Sequence, residues 1–596
     1  MRRICTFLIA VALMAGMVGC TAAFIEVDLT ISSTEGGSVS TPGEGDFVCG
    51  LGVVVNLIAT PDAGYRFVDW TGDVEAIADV ESAKTTITMN GAYSVEARFV
   101  AVHSLNILSS AGGSVTVPGE GVFTFDAGTV VDLMSEATAR HDFVDWSGDV
   151  GSVADIGEAR TTITMNNDYL IVASFVMPIR DWHDLHSVRD NLTSRCFLIN
   201  DLDATTEGYA ELASVMANDA QAWQPIGTLN DPFVGNFDGQ GYEIRDMYIN
   251  RPGEMHVGLF GYVAGGRITD LGIVDSDVTG GWRVGGLVGY SSGSMSSVYS
   301  HASVVGADWV GGLVGLNVGT ISDAYSAGSV DGHHAVGGVA GMSSGVVTYC
   351  HAATTVTGVS NVGGLMGGII GTGSVIACHA TGSVTGDRAV GGLVGANAFV
   401  VSKSYSGGSV TGCSNVGGLV GVNYGTVSKS YSDAAVTGTY GVGGLVGVSG
   451  TQVMPVGDIV SGIIRNSYAV GDVTGETSVG GLVGANVHDS SIGSSYSGGT
   501  VIGEVRIGGL VGMNDAGIVR NSFWDTETSG LQVSEGGIGK TTADMMDITT
   551  YTDTETEGLD TPWDISAVTL GYTSLTCIWN IVDNQTYPFL SWQAVS

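Results

Sequence analysis

"VGGLVG" stands at Val284–Gly289, again at Val310–Gly315, and again at Val390–Gly395. Aligning the chain on the apolar residue before the Gly gives ten copies in close variants. They begin at Val257, Val284, Val310, Val336, Val362, Val390, Val416, Val442, Val479 and Ile507. The spacings are 27, 26, 26, 26, 28, 26, 26, 37 and 28 residues. A second segment follows each Gly-rich run, as in "TISDAYSAGSVDG" from Thr320 or "TVSKSYSDAAVTG" from Thr426. One unit of about 26 residues holds three strands of some five residues plus turns. It is too small to bury its own hydrophobic face, so units must stack and share a core of Val, Leu and Ile. Strands of successive units then pair in parallel about 4.8 Å apart, and ten coils make a rod roughly 45 Å long. The period predicts a parallel β-helix. The glycines let the coil bend or let neighbouring backbones approach. The 37-residue spacing reads as an ordinary coil with an outward loop around "TQVMPVGDIVSG", from Thr451.

Composition agrees. Gly makes up 93 of 596 residues and Pro only 10, which excludes collagen and Pro-rich linkers. With 60 acidic and 21 basic residues the formal net charge is −39. A polyanion is repelled by nucleic acid, so no nucleic-acid partner is expected.

The chain opens "MRRICTFLIAVALMAGMVGC". Arg2 and Arg3 precede an apolar run too short to span a bilayer, which reads as a secretory signal over residues 1–19. Its end, Met17–Cys20, resembles a bacterial lipobox, with Met17 where Leu is commoner. That resemblance implies lipidation of Cys20 and a membrane partner reached through the lipid. The alternative is cleavage near Ala22–Ala23 with no lipid. Six cysteines follow, with no CxxC and no dense disulfide framework.

A tandem repeat comes next. "GGSV" at Gly36, "PGEG" at Pro42, "FVDW" at Phe67 and "TTITMN" at Thr85 each recur 76 residues later. Alternating runs such as "VVVNLIAT" and "YSVEARF" make each copy a small β-rich module, over residues 24–100 and 101–177. Pro61, Gly64-Tyr65, Phe67, Trp70 and Gly72 resemble the divergent internalin-type B repeat of bacterial surface proteins; the second copy lacks the Pro and the Gly-Tyr. The resemblance implies a β-grasp-like stalk without catalysis. Asp69, Asp73, Asp145 and Asp149 flank the tryptophans and read as turn residues capping backbone N–H groups rather than calcium ligands.

The array over residues 257–524 resembles the GLUG motif repeat, which occurs in bacterial surface proteins, including adhesins and non-catalytic parts of IgA-cleaving proteases. It implies an extracellular β-helix. Residues 178–256, from "RDWHDLHSVRDNL", read as an N-terminal cap and first coils, and residues 525–596 as a C-terminal cap. The fold expected is all-β: two small β-grasp-like modules, then a parallel β-helix with capping segments.

Catalytic motifs are matched by composition alone. "GYSSG" (Gly289–Gly293) and "GMSSG" (Gly341–Gly345) satisfy G-x-S-x-G but sit at the same turn of equivalent coils. "SEGGIGKT" (Ser534–Thr541) lacks the first Gly of a phosphate loop. Acidic residues such as Asp323, Asp387, Asp433 and Asp472 form no stacked row for glycoside hydrolysis. Cys350-His351 and Cys378-His379 fall at equivalent positions of successive coils. They read either as a small buried Cys ladder beside an exposed His pair, or as a Cys350–Cys378 disulfide. A metal cluster is disfavoured because neighbouring strand residues point to opposite faces. No metal, cofactor or enzymatic activity is expected.

The residues just before V-G-G vary most. If these turns align, they form an edge holding Trp282, Arg283, Trp309, His333, His334 and Tyr440. Such a ladder suits carbohydrate or protein on a cell surface; the plain alternative is that turns tolerate variation. The sequence therefore reads as a lipid-anchored, extracytoplasmic adhesin or surface-interaction protein. The alternatives are a polysaccharide-acting β-helix enzyme and a purely structural envelope protein.

Overall fold

A computed structural model describes residues 3–4, 25–450 and 461–593, and the chain divides into two units, Met1–Val176 and Met177–Ser596. Cys20 with the rest of residues 5–24, and residues 451–460, where the sequence suggests an outward loop, lie outside the described residues.

The first unit is two modules built from strands alone. In the first, Gly45–Gly50, Glu26–Ser33, Tyr93–Ser109 and Tyr65–Gly72 make one sheet, and Gly37–Thr41, Val54–Pro61 and Lys84–Thr88 another. The second module repeats this plan, and the 17-residue strand Tyr93–Ser109 passes from one module to the next. Each core is filled by the Trp of "FVDW". Trp70 is 2% and Trp146 1% exposed, and each indole N–H donates to a backbone carbonyl twelve residues on, Ser82 and Glu158. Three of the carboxylates beside them are partnered. Asp73 and Asp149 accept the N–H of Ser94 and Leu170 at 2.9 Å, and Asp69 accepts a two-pronged bond from Arg98.

The second unit is a parallel β-solenoid. One coil runs through Asp308–Gly311, Val314–Asn317, Thr320–Ser322, Tyr325–Ser326 and Ser329–Asp331, and His334–Gly337 opens the next. Every step stacks like on like: Val310 on Val336, Val314 on Ala340, Ile321 on Val347, Val330 on Val356. The ten-stranded sheet from Phe260–Val263 to Val511–Asp515 takes one strand from each of the ten repeats. Before it, Arg195–Leu198 and Asn236–Asp238 place Cys196 and Phe237 beneath Ile268 as irregular first coils. A short helix, Trp182–Ser187, begins at Asp181, whose carboxylate accepts the Asp184 N–H, and buries Trp182 and Leu185 over that end.

The far end is closed by a change in one stacked column. Ser326, Ala352, Ala380, Ser406, Ser432, Ala469 and Ser497 are all small; the next member is Trp524. Its indole lies on the bare Cα of Gly509 and fills the last coil.

The repeated glycines are required by contact, not by φ. None of the V-G-G glycines has positive φ. A Cβ on Gly391 would stand 2.1 Å from its own turn's Val394 oxygen, and one on Gly392 would stand 2.0 Å from the Gly418 oxygen of the next coil. Positive φ falls instead at two corners of each coil, on side-chain-bearing residues such as Trp309 (58°) and Asp323 (52°) everywhere but Gly441 (64°).

Gly392→Ala is expected to cost about 3 kcal/mol, from forced separation of packed backbones. Gly493→Ala, where a Cβ meets nothing within 4 Å, is expected to change stability by less than about 0.5 kcal/mol. Urea denaturation midpoints of the two variants check this.

Candidate functional site

The variable turns do align, but as three columns. His333 lies in the first, its N–H bonded to the Ala307 carbonyl. Trp282, Asp308, His334, Ser360, Arg388, Ser414 and Tyr440 form the second, so Tyr440 is four coils from His334. Arg283 and Trp309 belong to the third, the positive-φ corner that begins at His256. The two tryptophans therefore do not stack on each other. Trp282 neighbours Met255 and Asp308, while Trp309 neighbours Arg283.

What gathers around Arg283 is a cluster the sequence did not single out. Its guanidinium lies over the Trp309 ring, 4.8 Å from the centroid, and its Nη1 donates to His256 Nε2 at 2.7 Å. His256 packs edge-on against Tyr262 and Tyr290, which stack on each other at 4.2 Å. The tyrosines come from the second strand of adjacent coils, Phe260–Val263 and Val288–Ser291. Further along that column the members are Leu316, Met342, Gly368 and Ala396, so the aromatic pair occurs only at this end. Met255 and Trp282 border the cluster, 54% and 49% exposed. The missing signal was the strand face: Tyr262 and Tyr290 sit inside the Gly-rich run, which reads as core.

A second aromatic feature runs along the outer face. Tyr325, His351, His379, Tyr405, Tyr431, Tyr468 and Tyr496 stack in one file with centroids 4.3 to 5.1 Å apart. The His pair is thus half-buried in a ring stack rather than exposed, and burial lowers both pKa values. The C-terminal segment covers much of this file. Trp592 lies against Tyr405 and Tyr431, Trp579 against Tyr468 and Tyr496, and Tyr496 donates to the Pro588 carbonyl at 2.6 Å.

Cys350 and Cys378 are free, buried thiols in a polar ladder. The thiols donate to the carbonyls of Thr348 and Ile376, two residues back, and Cys378 Sγ accepts the Cys350 N–H at 3.4 Å. Ser404, Ser430, Ser467 and Ser495 repeat this pattern in the following coils. The Cys378 thiol beside it and burial both push Cys350 far above the ordinary thiol range. The serines of the two G-x-S-x-G strings belong to another interior ladder. Ser291 and Ser343 are at most 1% exposed, and Asn317 between them donates to Ser343 Oγ at 3.1 Å. In "SEGGIGKT", Ser534 accepts the N–H groups of Leu510 and Val511, and the helix after Lys540 has four residues. Among the described residues no three His, Cys, Asp or Glu side chains are placed to hold a metal ion.

Two outcomes follow from these contacts. Cys378→Ser keeps the ladder and is expected to leave stability within about 0.5 kcal/mol. Cys378→Val strands the buried Cys350 N–H and is expected to cost about 1–3 kcal/mol. Denaturant midpoints compare them. Burial and the adjacent Arg283 hold the His256 pKa down from 6.5 to about 4. A depressed pKa means the stabilising contribution is full above the unfolded value and lost as pH falls through the folded one. The wild-type protein should therefore lose more stability between pH 6.5 and 4 than His256→Gln, measured by urea midpoints across that range.

Comparison with known proteins adds the following. Residues 27–103 and 103–177 each match the family described as Divergent InlB B-repeat domain. The halomucin of Haloquadratum walsbyi is 32% identical over 130 residues, 21% of this chain; the match spans 1% of that much longer protein. Among solved structures, a Bacteroides ovatus chain provisionally named an immunoglobulin A1 protease is 16% identical, with 58% of this chain and 84% of that one covered and a TM-score of 0.28. An IgA1 protease is 12% identical, with 72% and 25% covered and a TM-score of 0.23. The chain is thus a repeat protein in which two divergent InlB B-repeat domains precede a parallel β-solenoid.

Proposed function

We propose that this is an exported, lipid-anchored surface protein whose solenoid, a GLUG-type array, binds a partner outside the cell. The two B-repeat modules serve as its stalk. The observation that carries the binding role is the cluster around Arg283. A solenoid that only filled space would repeat its outer columns. Here Tyr262, Tyr290, Trp282 and Trp309 break the repeat in neighbouring coils: Trp282 is half exposed, Trp309 lies under the Arg283 guanidinium, and the tyrosine pair packs on the His256 that accepts from it. Aromatic and arginine side chains at a partly exposed surface are the usual anchors of recognition. The leader and the resemblance of Met17–Cys20 to a lipobox support export and anchoring at Cys20.

Two measurements test this. Cys20→Ser is expected to move the protein from the membrane fraction to the soluble fraction; unchanged membrane association removes the lipid anchor. Trp282→Ala is expected to lower binding of the full chain to whole cells by ten-fold or more. Binding equal to wild type overturns the role of this cluster.

A further inference from the structure

The cluster around Arg283 has a chemistry that narrows its ligand. Arg283 carries a positive charge in a chain of net charge −39, yet among the described residues no carboxylate is in ion-pair contact with it. Its one hydrogen-bond partner is the ring nitrogen of His256, which accepts and is therefore neutral. Its Nε is buried without a partner. On one side it is packed against Trp309, and the tyrosine pair closes the other side of His256. Aromatic walls reduce competition from water, so a guanidinium held this way binds a carboxylate more strongly than an exposed arginine does. Glu254, beside His256 on the preceding coil, is engaged by Arg251 at 2.8 Å. Asp308 stands opposite Trp282 on the next coil and precedes Trp309, and it is the acid that a bound carboxylate would face.

Resting on the surface-binding reading above, we propose that this cluster binds a pyranose bearing a carboxylate. The acid group meets Arg283, and the apolar face of the ring lies on the exposed indole of Trp282. A carboxylated sugar supplies both halves, a single negative charge and a flat C–H face suited to an aromatic ring. A neutral sugar leaves the guanidinium unmatched. A nucleic acid is excluded by the chain's charge.

The test uses the full chain in calorimetric titrations with three probes: sialyllactose, an oligogalacturonate, and neutral lactose. At least one acidic probe should bind ten-fold or more tightly than lactose, and added NaCl should weaken it. Binding of sialyllactose alone assigns an ulosonic acid; binding of oligogalacturonate alone assigns a uronic acid. Arg283→Gln should abolish that preference, while Arg388→Gln, an exposed arginine in the Trp282 column, should keep it. Circular dichroism of both variants confirms the fold, and Arg283→Lys, which keeps the charge, should retain part of the preference if Arg283→Gln misfolds. Lactose bound as tightly as either acid, no binding of either acid, or an unchanged preference in a folded Arg283→Gln overturns the proposal. Cell binding lost in Trp282→Ala without any acidic-sugar binding overturns this inference alone; cell binding unaffected by Trp282→Ala overturns the surface reading beneath it.

Discussion

The spacing between coils governs what each position of the solenoid can hold. Parallel strands about 4.8 Å apart put every residue directly above its equivalent, so a side chain is judged against its own neighbours in a column. Where two backbones cross at the V-G-G corner, the column has no room for a Cβ, and Gly392 meets the Gly418 oxygen at once. Where a column faces the core, Val and Leu stack. Where it faces the core and is polar, it must bond to itself. The Ser404, Ser430 and Ser467 hydroxyls each take the N–H of the coil before and give their proton to a carbonyl two residues back. The Asn397 amide passes to Asn423 at 2.8 Å by the same logic. Buried polar groups paired this way avoid a penalty of about 1–3 kcal/mol each.

Column logic also explains why the two cysteines are not out of place. A thiol can donate and accept weakly, as a hydroxyl does more strongly. Cys350 and Cys378 therefore extend the serine ladder toward the N-terminal coils, where Ala324 and Val298 end it with side chains that cannot bond. The identity of the residue matters less than its capacity to keep the column satisfied.

Much of this was legible in the sequence because it is local and periodic. The ten copies gave ten strands in one sheet, and the constant offset of 76 residues gave two modules of one plan. What was not legible is long-range or depends on the exact corner. Trp592 bonds to the Lys429 carbonyl 163 residues away, so nothing near either residue announces the contact. Trp282 stands two residues before Val284 and Trp309 one before Val310, so the repeat register puts them in different columns. The left-handed corner at Arg283 and Trp309, with φ of 58° at both, then sets that position apart from the residue before it. Reading the turns as one edge passed over that one-residue offset and a left-handed corner that non-glycine residues seldom adopt.

The same repetition that stabilises the solenoid limits where it can recognise anything. A uniform column presents the same surface at every coil, and a ligand on it has no preferred address. Specific binding needs a coil that differs from its neighbours on the outside while matching them within. The first coils meet that condition. Val257, Val284 and Val310 stack in the core as everywhere else, while outside them His256, Arg283 and Trp309 follow one another with no residue type repeated. Farther on, the same corner carries Ala335, Asn361, Ala389, Asn415, Gly441 and Ser478, small or short polar groups that offer little to grip, before Arg506 in the last coil, which lies against Met513 with no aromatic ring on it among the described residues. The interior is therefore spread evenly over ten coils, while the aromatic rings that accompany this corner's side chains are gathered in the first of them.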